Sequence, residues 1–123
     1  MRVLLDTHVV IWWDTGAPLS SSAHRAIMDA DEVHVSAVSE WEVATKAGLG
    51  KIRGDRTIES VVRENGFLEL PVLMRHADAL RALPALHRDP FDRLLIAQAI
   101  AEGLQLITRD VAVTAYPVPT ILA

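Results

Sequence analysis

Four acidic residues stand where a folded chain could gather them into a metal site: Asp6, Glu42, Asp92 and Asp110. Carboxylates at close range repel one another, which raises their pKa values unless a cation compensates. A hard dication with oxygen ligands, Mg2+ or Mn2+, is the natural partner. Such an ion polarises a phosphoryl oxygen and lowers the pKa of a bound water, and two ions can clamp both reacting oxygens. Phosphodiester hydrolysis is the chemistry that this combination serves.

The elements that must position these acids follow from local signals. Arg2 to Leu5 is a short apolar strand, and His8 to Trp13 reads as a brief helix broken by Gly16-Ala17-Pro18. Ser20, Ser21 and Ser22 offer caps for a helix to about Asp31, and Val33 to Val35 is a second strand. A helix is expected from Ser39 to about Ala47, ended by Gly48-Leu49-Gly50, and another from Thr57 to Asn65-Gly66. Phe67 to Leu70 is a third strand, limited by Pro71, and a helix from Leu73 to Arg81 stops before Pro84. Asp89 caps a long helix with Pro90 at its first position, running to Gly103. Leu104 to Thr108 is a fourth strand and Val118 to Leu122 a short fifth.

Short apolar strands alternating with helices predict an α/β fold, a parallel sheet covered on both faces. In such sheets ligands bind beyond the carboxyl ends of the strands, near the point where strand order reverses. Asp6 follows the first strand, Glu42 opens the helix after the second, and Asp110 follows the fourth. Asp92 joins them if its helix begins on the edge where the strands finish.

Each acid also has a plainer explanation. Ser39-Glu40-Trp41-Glu42 reads equally well as a capping box, and Asp92 sits where a carboxylate favours the helix dipole. Asp89 is better read as a cap than as a ligand, and Asp110 alone could be a turn residue. Asp6 is the hardest to dismiss, because it ends a strongly apolar strand.

Composition bounds the rest. The 123 residues are half hydrophobic, contain no cysteine and carry a formal charge of −4. They fit a single domain, residues 1–123, large enough for a self-supporting core. Disulfide frameworks, thiol catalysis and cysteine-based zinc sites are excluded. The histidines are scattered, the Gly48–Lys51 loop fails the phosphate-loop pattern, and no serine-hydrolase elbow occurs. Asp6, His8 and Asp14 interrupt the apolar start, so neither an export signal nor a membrane span is expected, and the protein is expected in the cytoplasm. An acidic balance gives no long-range attraction to a phosphate backbone, so nucleic-acid binding needs local basic groups or bound cations. Arg88, Arg93 and Arg109 flank the acids and are candidates for holding phosphate, with a carboxylate partner as the alternative for Arg93. Lys46 opens a basic stretch with Lys51, Arg53 and Arg56, of which the two arginines read as a solvated face. Trp41 is expected in the core, and one of Trp12 and Trp13 on a partner surface.

Four blocks in order, Val3-Leu-Leu-Asp6-Thr7, Ser36-Ala-Val-Ser39-Glu-Trp-Glu42, His87-Arg-Asp-Pro-Phe-Asp-Arg93 with Ala97-Gln-Ala99, and Leu106-Ile-Thr-x-Asp110, resemble PIN-domain ribonucleases, most nearly the VapC-type toxins of bacterial toxin–antitoxin pairs. The resemblance implies a three-layer α/β/α PIN-like domain whose central parallel sheet has four to five short strands. It implies an endoribonuclease in which Asp6, Glu42 and Asp92, with Asp110 as a more variable fourth, bind Mg2+ or Mn2+. Thr7 and Thr108 are candidate hydroxyls supporting Asp6 and Asp110. His8 stands where many members carry Asn or Ser. An RNA substrate, a VapB-like antitoxin and a homodimer are the implied partners, and the acidic pocket invites an antitoxin Arg or Lys near Asp6 and Asp92. A housekeeping RNA-processing nuclease is the related alternative. A phospho-receiver domain is disfavoured, because the third strand ends Glu69-Leu70-Pro71 and no lysine follows Lys51.

Overall fold

A computed structural model describes residues 1–46 and 56–123. Five parallel strands, β1 (Arg2–Leu5), β2 (Glu32–Ser36), β3 (Leu68–Leu70), β4 (Gln105–Thr108) and β5 (Thr120–Leu122), lie in the order β3-β2-β1-β4-β5. The connecting helices are α1 (Thr7–Thr15), α2 (Ser21–Asp29), α3 (Ala37–Thr45), α4 (Ile58–Asn65), α5 (Met74–Ala79) and α6 (Pro90–Glu102). The fold is the expected three-layer α/β/α arrangement.

Both faces of the sheet are covered at its centre, which explains the continuous apolar runs Val3–Leu5 of β1 and Leu106–Ile107 of β4. Val3, Leu5 and Ile107 point into a core shared with Val9 and Val10 of α1, Ala23 and Ile27 of α2, and Ile58 and Val61 of α4. Leu4 and Leu106 point the other way, against Val38 of α3 and Phe91, Leu95, Ile96 and Ala99 of α6. Helix α6 ends at Gly103, whose φ of 67° is a left-handed turn that a side chain would strain. Because α6 runs antiparallel to β4, its first turn sits at the carboxyl edge of the sheet.

Helix α3 corrects the sequence reading. It begins at Ala37 with Ser36 as its cap, the Ser36 hydroxyl accepting from the Val38 N–H at 3.0 Å. Ser39 is therefore not a cap but a buried helical residue, and Glu42 lies beyond the first turn. The capping-box explanation of Glu42 falls. The same shift in phase turns Val38, Ser39 and Glu42 inward and leaves Trp41 on the flank, 53% exposed with its ring 4.4 Å from that of Phe91, rather than in the core. The helix closes at Thr45, so the proposed stop at Gly48–Gly50 lies outside the described residues, as do Lys51 and Arg53. Arg56 is not a free solvated charge: it pairs with Asp14 and Glu64, each at 2.7 Å. Both Trp12 and Trp13 pack against the core from its edge, Trp13 donating to the Asn65 side chain at 3.0 Å.

A buried polar strut fixes the start of α3. Gln98 of α6, 0% exposed, accepts from the Ser36 hydroxyl and donates to the Pro71 carbonyl at 3.2 Å and toward His76 Nδ1 at 3.2 Å. Gln98→Leu would leave the Ser36 hydroxyl hydrogen without its buried acceptor and take a donor from the Pro71 carbonyl, so it is expected to destabilise the protein by roughly 2–3 kcal/mol in urea denaturation.

Candidate metal centre

Asp6 stands where the strand order reverses. Its N–H continues the sheet to the Ile107 carbonyl at 3.0 Å, and its side chain caps α1 by accepting from the Val9 N–H at 2.9 Å. Asp110 lies at the end of β4, its own N–H donating to the Thr108 hydroxyl at 3.1 Å and its side chain accepting from the Ala112 N–H at 3.0 Å. Glu42 projects from α3 and Asp92 from the first turn of α6. Asp6, Glu42, Asp89, Asp92 and Asp110 all line one cleft of about 160 Å3, with His8, Trp12, Lys46 and Arg109. That is room for hydrated ions, and well below the several hundred Å3 of a site that encloses an organic ligand.

Among the described residues two tight sets form here: oxygens of Glu42, Asp89 and Asp92 lie within 4.8 Å of one another, as do ligand atoms of His87, Asp92 and Asp110. Asp6 lines the same cleft but belongs to neither set. Asp89 is indeed the cap of α6, its Oδ1 accepting from Phe91 N–H at 2.8 Å and Asp92 N–H at 3.2 Å. Its other oxygen, however, faces the cleft and takes Lys46 Nζ at 2.8 Å. The same ammonium reaches Glu42 Oε2 at 2.8 Å. Glu42 is 2% exposed, and its Oε1 is buried with no hydrogen-bond partner among the described residues.

His87 is the participant that sequence reasoning passed over, although it opens one of the quoted blocks. Its Nδ1 accepts from the Asp89 N–H at 3.1 Å, which places the ring hydrogen on Nε2. That atom lies 2.8 Å from Asp110 and 3.3 Å from Asp92, so the imidazole ties two of the acids together. The signal available was its position two residues before a helix cap.

The basic candidates divide. Lys46 and Arg109 line the cleft. The Arg109 guanidinium lies 3.8 Å over the Trp12 ring while donating to the Pro18 carbonyl at 2.8 Å. Arg88 is exposed outside it, and Arg93 reaches the Leu80 carbonyl at 3.5 Å rather than a carboxylate. The Thr108 hydroxyl accepts from the Asp110 backbone N–H, and it is the Asp6 carboxyl whose charge it favours. Thr7 instead donates to Ser39 at 3.0 Å, pinning α1 to α3, and so does not support Asp6.

The electrostatics carry the mark of crowded carboxylates. Burial pushes Asp92 up to about 7, and the charges of Asp89, Glu42 and Asp6 push the same way while His87 opposes them. Burial raises Asp6 too, with the Thr108 hydroxyl, Val9 N–H and His8 counteracting. For Asp89 burial is outweighed by Lys46 and the two N–H donors, and its carboxyl is held below the usual range. Lys46 is held firmly as an ammonium by Asp89 and Glu42.

An orphaned buried carboxylate oxygen, an acid driven up toward neutrality and an all-oxygen core of ligands fit a hard dication. Glu42, Asp89, Asp92 and Asp110 have the donors to hold one, with Asp6 beside them. A larger groove of about 380 Å3 between α3 and α4 is mainly apolar, and its glutamates belong to neither tight set.

The chain belongs to the PIN-domain family: the family's PIN domain model matches residues 3–117. It is 36% identical to Ribonuclease VapC22 of Mycobacterium tuberculosis over 112 residues, 88% of this chain and 86% of that protein. Its fold matches a chain in the crystal structure of VapBC2 from Rickettsia felis bound to a promoter DNA fragment, at 14% identity with a TM-score of 0.70, covering 99% of this chain and 98% of that one. It also matches a chain of DNA-bound VapBC from Salmonella typhimurium, at 18% identity and a TM-score of 0.69, covering 98% and 97%. FitAB bound to an IR36 DNA fragment gives 22% identity and a TM-score of 0.67, covering 99% and 94%.

Proposed function

We propose that this protein is a metal-dependent endoribonuclease of the VapC toxin type, hydrolysing RNA phosphodiester bonds at the cleft between Asp6, Glu42, Asp92 and Asp110. The observation that carries the chemistry is that these acids line one cleft in which the buried Glu42 Oε1 has no hydrogen-bond partner among the described residues. The choice of RNA rests on the relative named as a ribonuclease, since a phosphate-directed ion does not itself distinguish the two nucleic acids. When bound, Mg2+ or Mn2+ would supply an activated water and neutralise charge on the phosphoryl oxygens. The chain supplies everything else. Asp89 and the first turn of α6 fix Asp92, the sheet switch point fixes Asp6, and His87 holds Asp110 against Asp92. Arg109, held over the Trp12 ring, offers a planar donor to the strand leaving the cleft.

A VapB-like antitoxin is the proposed partner, supported by the fold's likeness to chains of toxin–antitoxin complexes, and an antitoxin Arg or Lys seated near Asp6 and Asp92 suits the cleft's charge. Among the described residues no helix is long and apolar enough to cross a membrane; action in the cytoplasm, as a homodimer, completes the proposal. Purified protein is expected to cut total RNA with Mg2+ or Mn2+ and to fall silent with a chelator. Asp6→Asn should reduce cutting on the order of a hundredfold or more. Metal-independent cutting, or full activity in Asp6→Asn, would remove the assignment.

A further inference from the structure

Lys46 has an unusual seat. It is the cap that follows the last helical residue of α3, and its side chain folds back to place Nζ 2.8 Å from Glu42 Oε2 and 2.8 Å from Asp89 Oδ2, with the Phe91 ring 4.9 Å away. Glu42 and Asp89 are two of the three members of a tight oxygen set, so the ammonium occupies part of the site in which a dication would sit. It does not fill it. Among the described residues Glu42 Oε1 stays buried and unpartnered, and Asp92, raised by burial and by its acidic neighbours, is met by His87 at 3.3 Å. A single ammonium thus bridges one pair of acids, offsets one of their two charges, and leaves the remainder as an unsatisfied seat. A dication entering that seat would face the ammonium at close range, where like charges repel strongly in a half-buried cleft. Lysine can resolve the conflict, because its charge is a point at the end of a flexible stem and this side chain is 35% exposed.

We propose that Lys46 is a resident counter-ion of the metal-free protein, which yields Glu42 and Asp89 to the metal and then holds a phosphate of the substrate from the rim of the cleft. The second half rests on the ribonuclease reading, whereas the first does not. The exchange is cation for cation: Lys46 keeps its protons, and the carboxylates keep a partner throughout. Without the metal, Lys46 keeps Glu42 and Asp89 from repelling. With the metal, a freed ammonium beside the reacting centre is the kind of point-charge donor that binds phosphate. Lys46 is then a positioning residue with opposite effects on the two ligands, weakening the metal and strengthening the RNA.

The chain has two lysines, Lys46 and Lys51, so Lys51→Arg protein labelled with nitrogen-15 at the lysine Nζ gives one ammonium signal to follow. Titration with Mg2+, which is diamagnetic, is expected to move that signal and to quicken its hydrogen exchange as the two ion pairs break. In calorimetry at pH 8, Lys46→Met is expected to bind Mn2+ about fivefold more tightly than wild type, since the competing charge is gone. At saturating Mn2+ the same variant should nevertheless cut RNA about tenfold more slowly, with Lys46→Arg recovering part of the loss. An ammonium signal unmoved by saturating Mg2+, or weaker Mn2+ binding by Lys46→Met, would overturn the counter-ion role. Equal cutting by Lys46→Met and wild type would overturn the phosphate role. If wild-type protein cuts no RNA at all, the ribonuclease reading fails while the signal and the calorimetry still decide the counter-ion.

Discussion

Asp92→Asn is expected to lose RNA cleavage on the order of a thousandfold while making the metal-free protein more stable at pH 8. The two effects have one origin. Asp92 belongs to both tight ligand sets, so its carboxylate is the one that links Glu42 and Asp89 to His87 and Asp110. Asparagine keeps the shape and one oxygen but removes the charge a dication needs. The same charge is costly without an ion, since burial and the neighbouring Asp89, Glu42 and Asp6 push the Asp92 pKa up to about 7. The sign is fixed by that direction: a carboxyl raised in the folded state favours folding below its unfolded value near 4, and the benefit is lost as pH rises toward 7. Wild type and Asp92→Asn should therefore unfold at similar temperatures at pH 4, with the variant ahead at pH 8 in the presence of a chelator. Thermal unfolding at both pH values, with a cleavage assay beside it, reads the pair of effects. A variant that is equally active, or less stable at pH 8, would contradict the role given to Asp92.

The metal affinity of the wild-type protein should climb steeply with pH. A dication binds Asp92 only as the carboxylate, so it competes with a proton wherever pH lies below the Asp92 pKa. Mn2+ affinity is expected to rise about tenfold per pH unit from about 5 to 7 and to level off above. Calorimetry across pH 5 to 8.5 checks this, with proton release falling toward zero on the plateau. A flat profile would mean that Asp92 is already ionised or is not a ligand. In Asp92→Asn protein the remaining affinity should lose most of this slope.

Much of this organisation was legible in the sequence, and the reasons differ from residue to residue. The strands were readable because both faces of the sheet are buried, so Val3-Leu4-Leu5 and Leu106-Ile107 show as unbroken apolar runs. The start of α6 was readable because Asp89 and Pro90 announce a helix terminus chemically, and the antiparallel course of that helix carried Asp92 to the carboxyl edge of the sheet. The start of α3 was not. Two serines, Ser36 and Ser39, are both competent caps, and the choice between them is made by a tertiary contact: Ser36 is bound by Gln98 from α6, and Ser39 is taken by Thr7 from α1. No local pattern reports either partner. The error of one turn put Glu42 in a capping box and Trp41 in the core.

The bonds inside the cleft were equally hidden. Lys46 looked like the first of a basic stretch, yet its partner Asp89 lies far along the chain, and only the packing of α3 on α6 brings them together. His87 was visible as a motif letter without a task, because its task is set by the tautomer that the Asp89 N–H imposes. Asp89 was rightly read as a cap, but a carboxylate has two oxygens, and the second faces Lys46. Sequence spacing locates acids on strand ends and helix starts; it does not say which cation answers them.

The measurement that bears most directly on the central claim is the chemistry of the RNA ends that the protein makes. Purified wild-type protein, incubated with total RNA in Mn2+, in chelator, and beside an Asp92→Asn control, is followed by sequencing that separates 3′-hydroxyl from 2′,3′-cyclic phosphate ends. A cleft that activates water against phosphorus should produce new 5′-phosphate and 3′-hydroxyl ends, in wild type and only with the metal. Cyclic phosphate ends, or the same ends in chelator or in Asp92→Asn, would show that the cleavage does not come from the acidic cleft.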